Sequence, residues 1–199
     1  MPKSNLLSEV FVHKYLWVVA TRIVDNNKTD ESISFYDDLI SMIFSFHTLE
    51  AYINYAGAVL NPELWKTERN YFSKNPYKGF DGKIRKIFEF CKMNEPSRME
   101  RPYSTVWKLK LLRDSIAHAK LEKKAYVLSS RAGEMISLHH EPFNGVVTHE
   151  NAMIAVDDVS NVIHLIHENA KKNSSDFWFQ YDPLDEIYQH NSCETDSRQ

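Results

Sequence analysis

Residues 35–60 read FYDDLISMIFSFHTLEAYINYAGAVL, and within them Phe35, Leu39, Met42, Ile43, Phe46, Leu49, Ile53, Ala56 and Leu60 recur at helical steps. That spacing returns side chains to one side of a 3.6-residue helix, so the stretch predicts one long amphipathic helix stopped by Asn61-Pro62. Such a helix must bury its apolar side, and both flanks supply partners. Upstream, Val10, Leu16, Trp17, Ala20, Ile23 and Val24 keep the same rhythm until Asp25-Asn26-Asn27 breaks it. Downstream, residues 66–80 are aromatic, basic and interrupted by Asn75-Pro76 and Gly79, and read as a structured connection.

A third helix is expected from an N-cap at Asp81, with Ile84, Ile87, Phe88 and Cys91 on one side and a stop at Asn94-Glu95-Pro96-Ser97. A fourth starts near Pro102 or Ser104 and carries Trp107, Leu109, Leu112, Ile116 and Ala119 to about Lys123. Two strand-like runs follow, Ala125-Tyr126-Val127-Leu128 and Val146-Val147-Thr148, separated by Gly133, Pro142 and Gly145, and suggest a short β-hairpin insertion around 125–150. A fifth helix is expected from a cap at Asp157 or Asp158, with Val159, Val162, Ile163, Ile166 and Ala170 as its stripe and Lys171-Lys172 at its C-terminal dipole. Residues 182–189 suggest one more short helix. The expected fold is all-α, an antiparallel bundle of four to five helices over 1–173, with 174–199 as a C-terminal extension ending in a polar tail.

Composition agrees. Hydrophobic residues make up 43% of the 199 positions and only 5 are Gly and 7 Pro, a packed globule with little material for a turn-rich β architecture. No run of about 18 apolar residues occurs, and Met1-Pro2-Lys3-Ser4-Asn5 lacks the basic-then-apolar layout of a secretory signal, so a cytoplasmic protein without a membrane span is expected. Cys91 sits in an apolar helical pattern and Cys193 in the polar tail, an arrangement that does not suggest a disulfide framework. The net charge of −3 is unevenly spread: residues 66–124 hold 16 Lys/Arg against 7 Asp/Glu. A basic middle between acidic flanks attracts phosphates or is balanced by acidic neighbours within the fold.

One segment concentrates polar chemistry on an otherwise apolar helix: Leu111-Leu112-Arg113-Asp114-Ser115-Ile116-Ala117-His118-Ala119-Lys120. Leu112 and Ile116 anchor it, while Lys110, Asp114 and His118, spaced by four, share another face. Arg113 lies some 140° around an ideal helix from His118, so the two converge only if the helix unwinds locally or a second copy supplies one of them.

These residues resemble the HEPN superfamily, small helical bundles in which an Arg is followed, after four to six residues, by a His on a late helix, often with a polar residue such as Asp114 directly after the Arg. The resemblance takes in the long second helix with Phe46-His47-Thr48-Leu49-Glu50-Ala51-Tyr52, the fourth helix, and the closing helix around Val159 to Ala170. It implies a homodimeric, metal-independent endoribonuclease, of the kind used in toxin, phage-defence or stress systems, that needs no cofactor. The RNA 2′-hydroxyl would attack its own phosphodiester, leaving 2′,3′-cyclic phosphate and 5′-hydroxyl ends. His118 would move a proton, Arg113 would stabilise the phosphorane-like transition state, and Asp114 would orient His118. Lys108, Lys110, Lys120 and Lys124 would contact RNA. An antitoxin or regulatory protein is an expected partner, but members paired with a nucleotidyltransferase antitoxin often carry Tyr two residues after the His, where this chain has Lys120. Many relatives bind RNA or protein without cutting, and in such a module Arg113 would pair with an acidic neighbour.

Other candidates carry less. His164 and His167, with Glu168, share one helical face but show no further ligands for a metal; His139-His140 and His149 lie in the irregular insertion. His47 faces the fourth helix or is a satisfied, partly buried imidazole. Tyr71, Phe72, Tyr77 and Phe80, interleaved with Lys66, Arg69, Lys74 and Lys78, either stack bases or pack a loop on the bundle. The absence of a Gly-rich phosphate loop and of a nucleophile elbow speaks against ATPase and hydrolase chemistry.

Overall fold

The computed structural model describes residues 11–26, 31–95, 97–119, 143, 145–174 and 177–185. Its helices are α1 (Val12–Asn26), α2 (Glu31–Leu60), α3 (Pro62–Lys66), α4 (Glu68–Tyr71), α5 (Gly79–Phe90), α6 (Tyr103–Ala117) and α7 (His149–Asn173), followed by a 3₁₀ turn at Phe177–Gln180. The fold is all-α, with no strand among the described residues.

α2 is the axis. Its 30 residues span about 45 Å, and α1, α3, α5, α6 and α7 all pack on it. Being enclosed on several sides, it buries Phe46, Leu49, Tyr52, Ile53 and Ala56 completely. α7 lies along it through Ala152, Ala155, Val159, Val162, Ile163, Ile166 and Ala170, all fully buried. α1 approaches closely enough for the Ser41 hydroxyl to donate to the Ala20 carbonyl at 2.9 Å. No helix among the described residues is long and apolar enough to cross a membrane.

Several boundaries differ from the sequence expectation. α7 starts at His149, capped by Thr148, whose hydroxyl accepts from Asn151 N at 3.2 Å. Ala152 and Ala155 extend the apolar stripe upstream of the expected start. Asp158 is no cap; it is buried, receives Arg101 Nε at 2.8 Å and Nη2 at 2.9 Å, and accepts from the Thr105 hydroxyl. Val146-Val147-Thr148 is a turn, with both valine amides on the Phe143 carbonyl at 3.0 Å and Gly145 at φ +74°. The rest of the expected hairpin, from Ala125 on, lies outside the described residues. α6 ends at Ala117 and not near Lys123, because His118 leaves helical geometry at φ −115°, ψ 20°. α5 begins at Gly79, and Asp81 falls in its first turn.

The connection 62–80 is held by Trp65, whose ring covers Gly57 so closely that a Cβ there would lie 2.1 Å from it. Its other aromatics divide: Phe72 and Phe80 are core, whereas Tyr71 and Tyr77 stack on each other at 5.5 Å with the Lys86 ammonium 4.1 Å from the Tyr77 ring. Residues 182–185 form an Asx-type turn and not a helix, with Leu184 N on Asp182 Oδ1 at 2.7 Å; 186–189 lie outside the described residues. Phe179 and Leu184 reach back into the core, so the chain beyond α7 contributes to it.

Candidate functional site

α6 turns Val106, Leu109 and Leu112 into the core, which leaves Arg113 and Asp114 half-buried at the core's edge and His118 exposed at the helix terminus. The terminus matters to the site. His118 is the C-cap residue, its amide still bonded to the Asp114 carbonyl at 3.0 Å, and α6 stays helical from Arg113 to Ala117, so no unwinding lies between the two. Lys110, Arg113, Asp114 and His118 nevertheless line one open cleft of about 880 Å³, together with Lys78, Phe80, Asp81, Arg85 and Arg98. Five Lys/Arg and two carboxylates line its wall, and four of the five cations are paired with a carboxylate within or beside it.

Arg113 is tightly held. Its Nη2 donates to Glu50 Oε1 at 2.6 Å, its Nη1 lies 3.1 Å from Asp114 Oδ1, and its guanidinium sits 5.1 Å from the centre of the Phe46 ring. Its Nε is buried without a hydrogen-bond partner among the described residues. Glu50 in turn faces His47, Nδ1 to Oε2 at 3.2 Å. One carboxylate of α2 thus sits between a histidine and the motif arginine, and a second cleft, of about 450 Å³, opens on that side with Glu50, Asn54, Arg69, Lys83 and Arg113 in its wall.

Asp114 does not hold the His118 ring. Its oxygens go to Lys110 Nζ at 2.8 Å and to Arg113. The Lys110 hydrogen bond, aided by the charges of Lys110, Arg113 and His118, holds the Asp114 carboxyl below the ordinary aspartate range. Neither ring nitrogen of His118 has a hydrogen-bond partner among the described residues, which leaves both free to bind or exchange a proton with a ligand.

The expected lysines separate. Lys110 belongs to the His118 cleft, Lys108 points to a different, apolar groove with Leu109, Leu111, Phe143 and Val146, and Lys120 and Lys124 lie outside the described residues. Much of the basic middle is neutralised within the fold: Lys83 by Glu68 at 2.7 Å, Arg85 by Glu95 at 2.7 Å, Arg98 by Asp81 at 3.1 Å and Arg101 by Asp158 at 2.8 Å.

The histidines considered for a metal have other employment. His167 is buried; its Nε2 donates to the Phe179 carbonyl at 3.2 Å, which leaves Nδ1 to accept from the Tyr52 hydroxyl at 3.1 Å. His164 meets Asp182 at 3.2 Å and His149 meets Asp38 at 3.0 Å. His139-His140 lie outside the described residues. No group of three or more potential ligands occurs among the described residues.

Sequence reasoning missed Glu50 as the partner of Arg113. The signal was present: Glu50 is a carboxylate between Leu49 and Ile53 on the most apolar helix, and a charge in such a place requires a counter-charge. Arg98 was missed for another reason, since nothing in its spacing puts it at the cleft of His118. No protein-family profile, curated protein or solved structure matches this chain.

Proposed function

We propose that this protein binds RNA in the His118 cleft and cleaves it without a metal ion, in the manner of the HEPN superfamily its motif resembles. The observation that carries the reading is an exposed histidine whose ring has no hydrogen-bond partner among the described residues, sharing a cleft lined by five Lys/Arg with an arginine anchored in the core. In this reading His118 takes the proton from the RNA 2′-hydroxyl. The oxygen attacks the adjacent phosphorus, the bond to the 5′-oxygen breaks, and the leaving oxygen takes up a proton, giving cyclic phosphate and 5′-hydroxyl ends. Arg113 supplies N–H donors as negative charge builds on the phosphoryl oxygens. Lys110 and Lys78 add positive charge around the phosphate. A homodimer is part of the proposal: Leu111 and Ile116, 68% and 38% exposed on α6 beside the motif, are apolar side chains for a second copy to cover.

The test is incubation of the protein and its His118→Ala variant with mixed cellular RNA in excess EDTA, followed by end-group analysis. Fragments with cyclic phosphate ends, produced by the parent protein alone, are the expected result; intact RNA with both proteins refutes cleavage.

A second reading, a non-catalytic RNA-binding or interaction module, is favoured by one observation. Arg113 is already paired with Glu50 and Asp114, so a phosphate must compete with two carboxylates. RNA that binds equally well to parent and His118→Ala proteins and is never cut identifies that case.

A further inference from the structure

We propose that Arg98, stacked on Trp107, is the platform on which an unpaired nucleobase rests beside the phosphate at Arg113, making the cleft a site for single-stranded RNA; the proposal rests on the RNA reading above. The Arg98 guanidinium lies 4.1 Å from the Trp107 ring centre, and Phe80 packs edge-on against the same indole at 5.8 Å and 81°. Its Nη2 donates to Asp81 Oδ2 at 3.1 Å, which ties down one edge of the group. Despite both contacts the side chain is 54% exposed, against 33% for Arg85 and 25% for Arg113, the other arginines of the cleft. The guanidinium lies over the indole, and more than half of the side chain remains open to solvent beside it.

The aromatic rings of the 66–80 connection are not open in this way. Phe80 is buried, and Tyr77 has Tyr71 stacked on it and the Lys86 ammonium over its ring. Arg98 therefore takes the base-stacking role that was one of the two readings of the aromatic loop, and it does so in the same cleft wall as His118. A planar cation backed by an indole attracts the π-face of any base with little regard to sequence. A base inside a duplex has both faces covered by its neighbours and cannot use such a platform.

The experiment measures binding by fluorescence anisotropy at low salt in a His118→Ala background, which prevents cleavage. Three probes are compared: a 12-nucleotide uridine-rich RNA, the same strand with its four central positions abasic, and a 12-base-pair RNA duplex. Arg98→Ala is expected to weaken the intact strand about tenfold and to leave the abasic strand nearly unchanged. Arg98→Lys should lose as much as Arg98→Ala, because it keeps the charge but not the plane. Thermal unfolding of each variant separates this loss from a structural one. Recovery of binding by Arg98→Lys, equal losses on intact and abasic strands, or a duplex bound as tightly as the single strand would each overturn the platform while leaving RNA binding in place. If the His118→Ala protein binds none of the probes, the RNA reading of the cleft fails and the platform with it.

Discussion

Replacing Glu50 by Gln keeps the shape of the side chain and removes the charge that Arg113 now faces. The pair is close, 2.6 Å between Nη2 and Oε1, with 25% and 28% of the two side chains exposed. Two unit charges centred about 4 Å apart attract by about 4 kcal/mol at an effective dielectric constant near 20. Desolvation of both groups and their partial exposure reduce the net contribution to about 1 kcal/mol. Thermal unfolding followed by helical ellipticity should therefore show Glu50→Gln melting about 3 °C below the parent. RNA affinity should move in the opposite direction, because a phosphate no longer competes with the Glu50 carboxylate for the guanidinium. At about 1 kcal/mol the gain is about fivefold at low salt, and it should shrink as ionic strength rises. The matching control is Glu63→Gln, the same charge change on an exposed carboxylate paired with an exposed Lys66 in α3. An affinity that falls in Glu50→Gln, or that rises no more than in Glu63→Gln, refutes the reasoning: Glu50 would then align Arg113 for its ligand and not compete with it.

Two further outcomes test the fold. Burial pushes His13 down to about 4 and also lowers His167, whereas an unfolded histidine titrates near 6.5. The unfolded chain thus takes up protons that the folded one refuses, so this contribution is full above pH 6.5 and is lost as pH falls toward 4, by about 3 kcal/mol for His13 alone. Urea unfolding between pH 7 and 4.5 should show that slope in the parent and a flatter one in His13→Phe, which keeps a ring among Phe11, Tyr52 and Tyr55; parallel slopes would exclude His13 as the cause. Gly57→Ala favours helix by about 1 kcal/mol but drives a Cβ to 2.1 Å from the Trp65 ring, so a net loss of about 1–3 kcal/mol is expected. A melting temperature equal to or above that of the parent would show that Trp65 moves aside freely.

The helices were legible wherever burial is one-sided or continuous over many turns. Ala20 and Val24 in α1, the stripe from Phe46 to Ala56 in α2, and Val159 to Ala170 in α7 are buried as their spacing requires. Ends were less legible, because a cap is a local choice among chemically similar residues. Asp157 and Asp158 look like caps in the sequence, yet the Ala152 and Ala155 stripe carries α7 past them, and Thr148 caps the helix instead. A buried Asp158 paired with Arg101 depends on α6 and α7 being neighbours, which no local signal contains.

The candidate site divides along the same line. Sequence spacing alone placed Lys110, Asp114 and His118 on one face, because positions four apart on a helix are fixed by its geometry, and they do line one cleft. It also marked Arg113 as out of line with His118. Only the tertiary structure decided that the helix ends at His118, that Arg113 is held by Glu50 from 63 positions earlier in the chain, that Asp114 serves Lys110 and Arg113 and not the histidine ring, and that Arg98 joins His118 in the same wall. Periodicity is a property of one helix and is written in consecutive residues, whereas the partner of a charge is set by which helices pack together and at what depth.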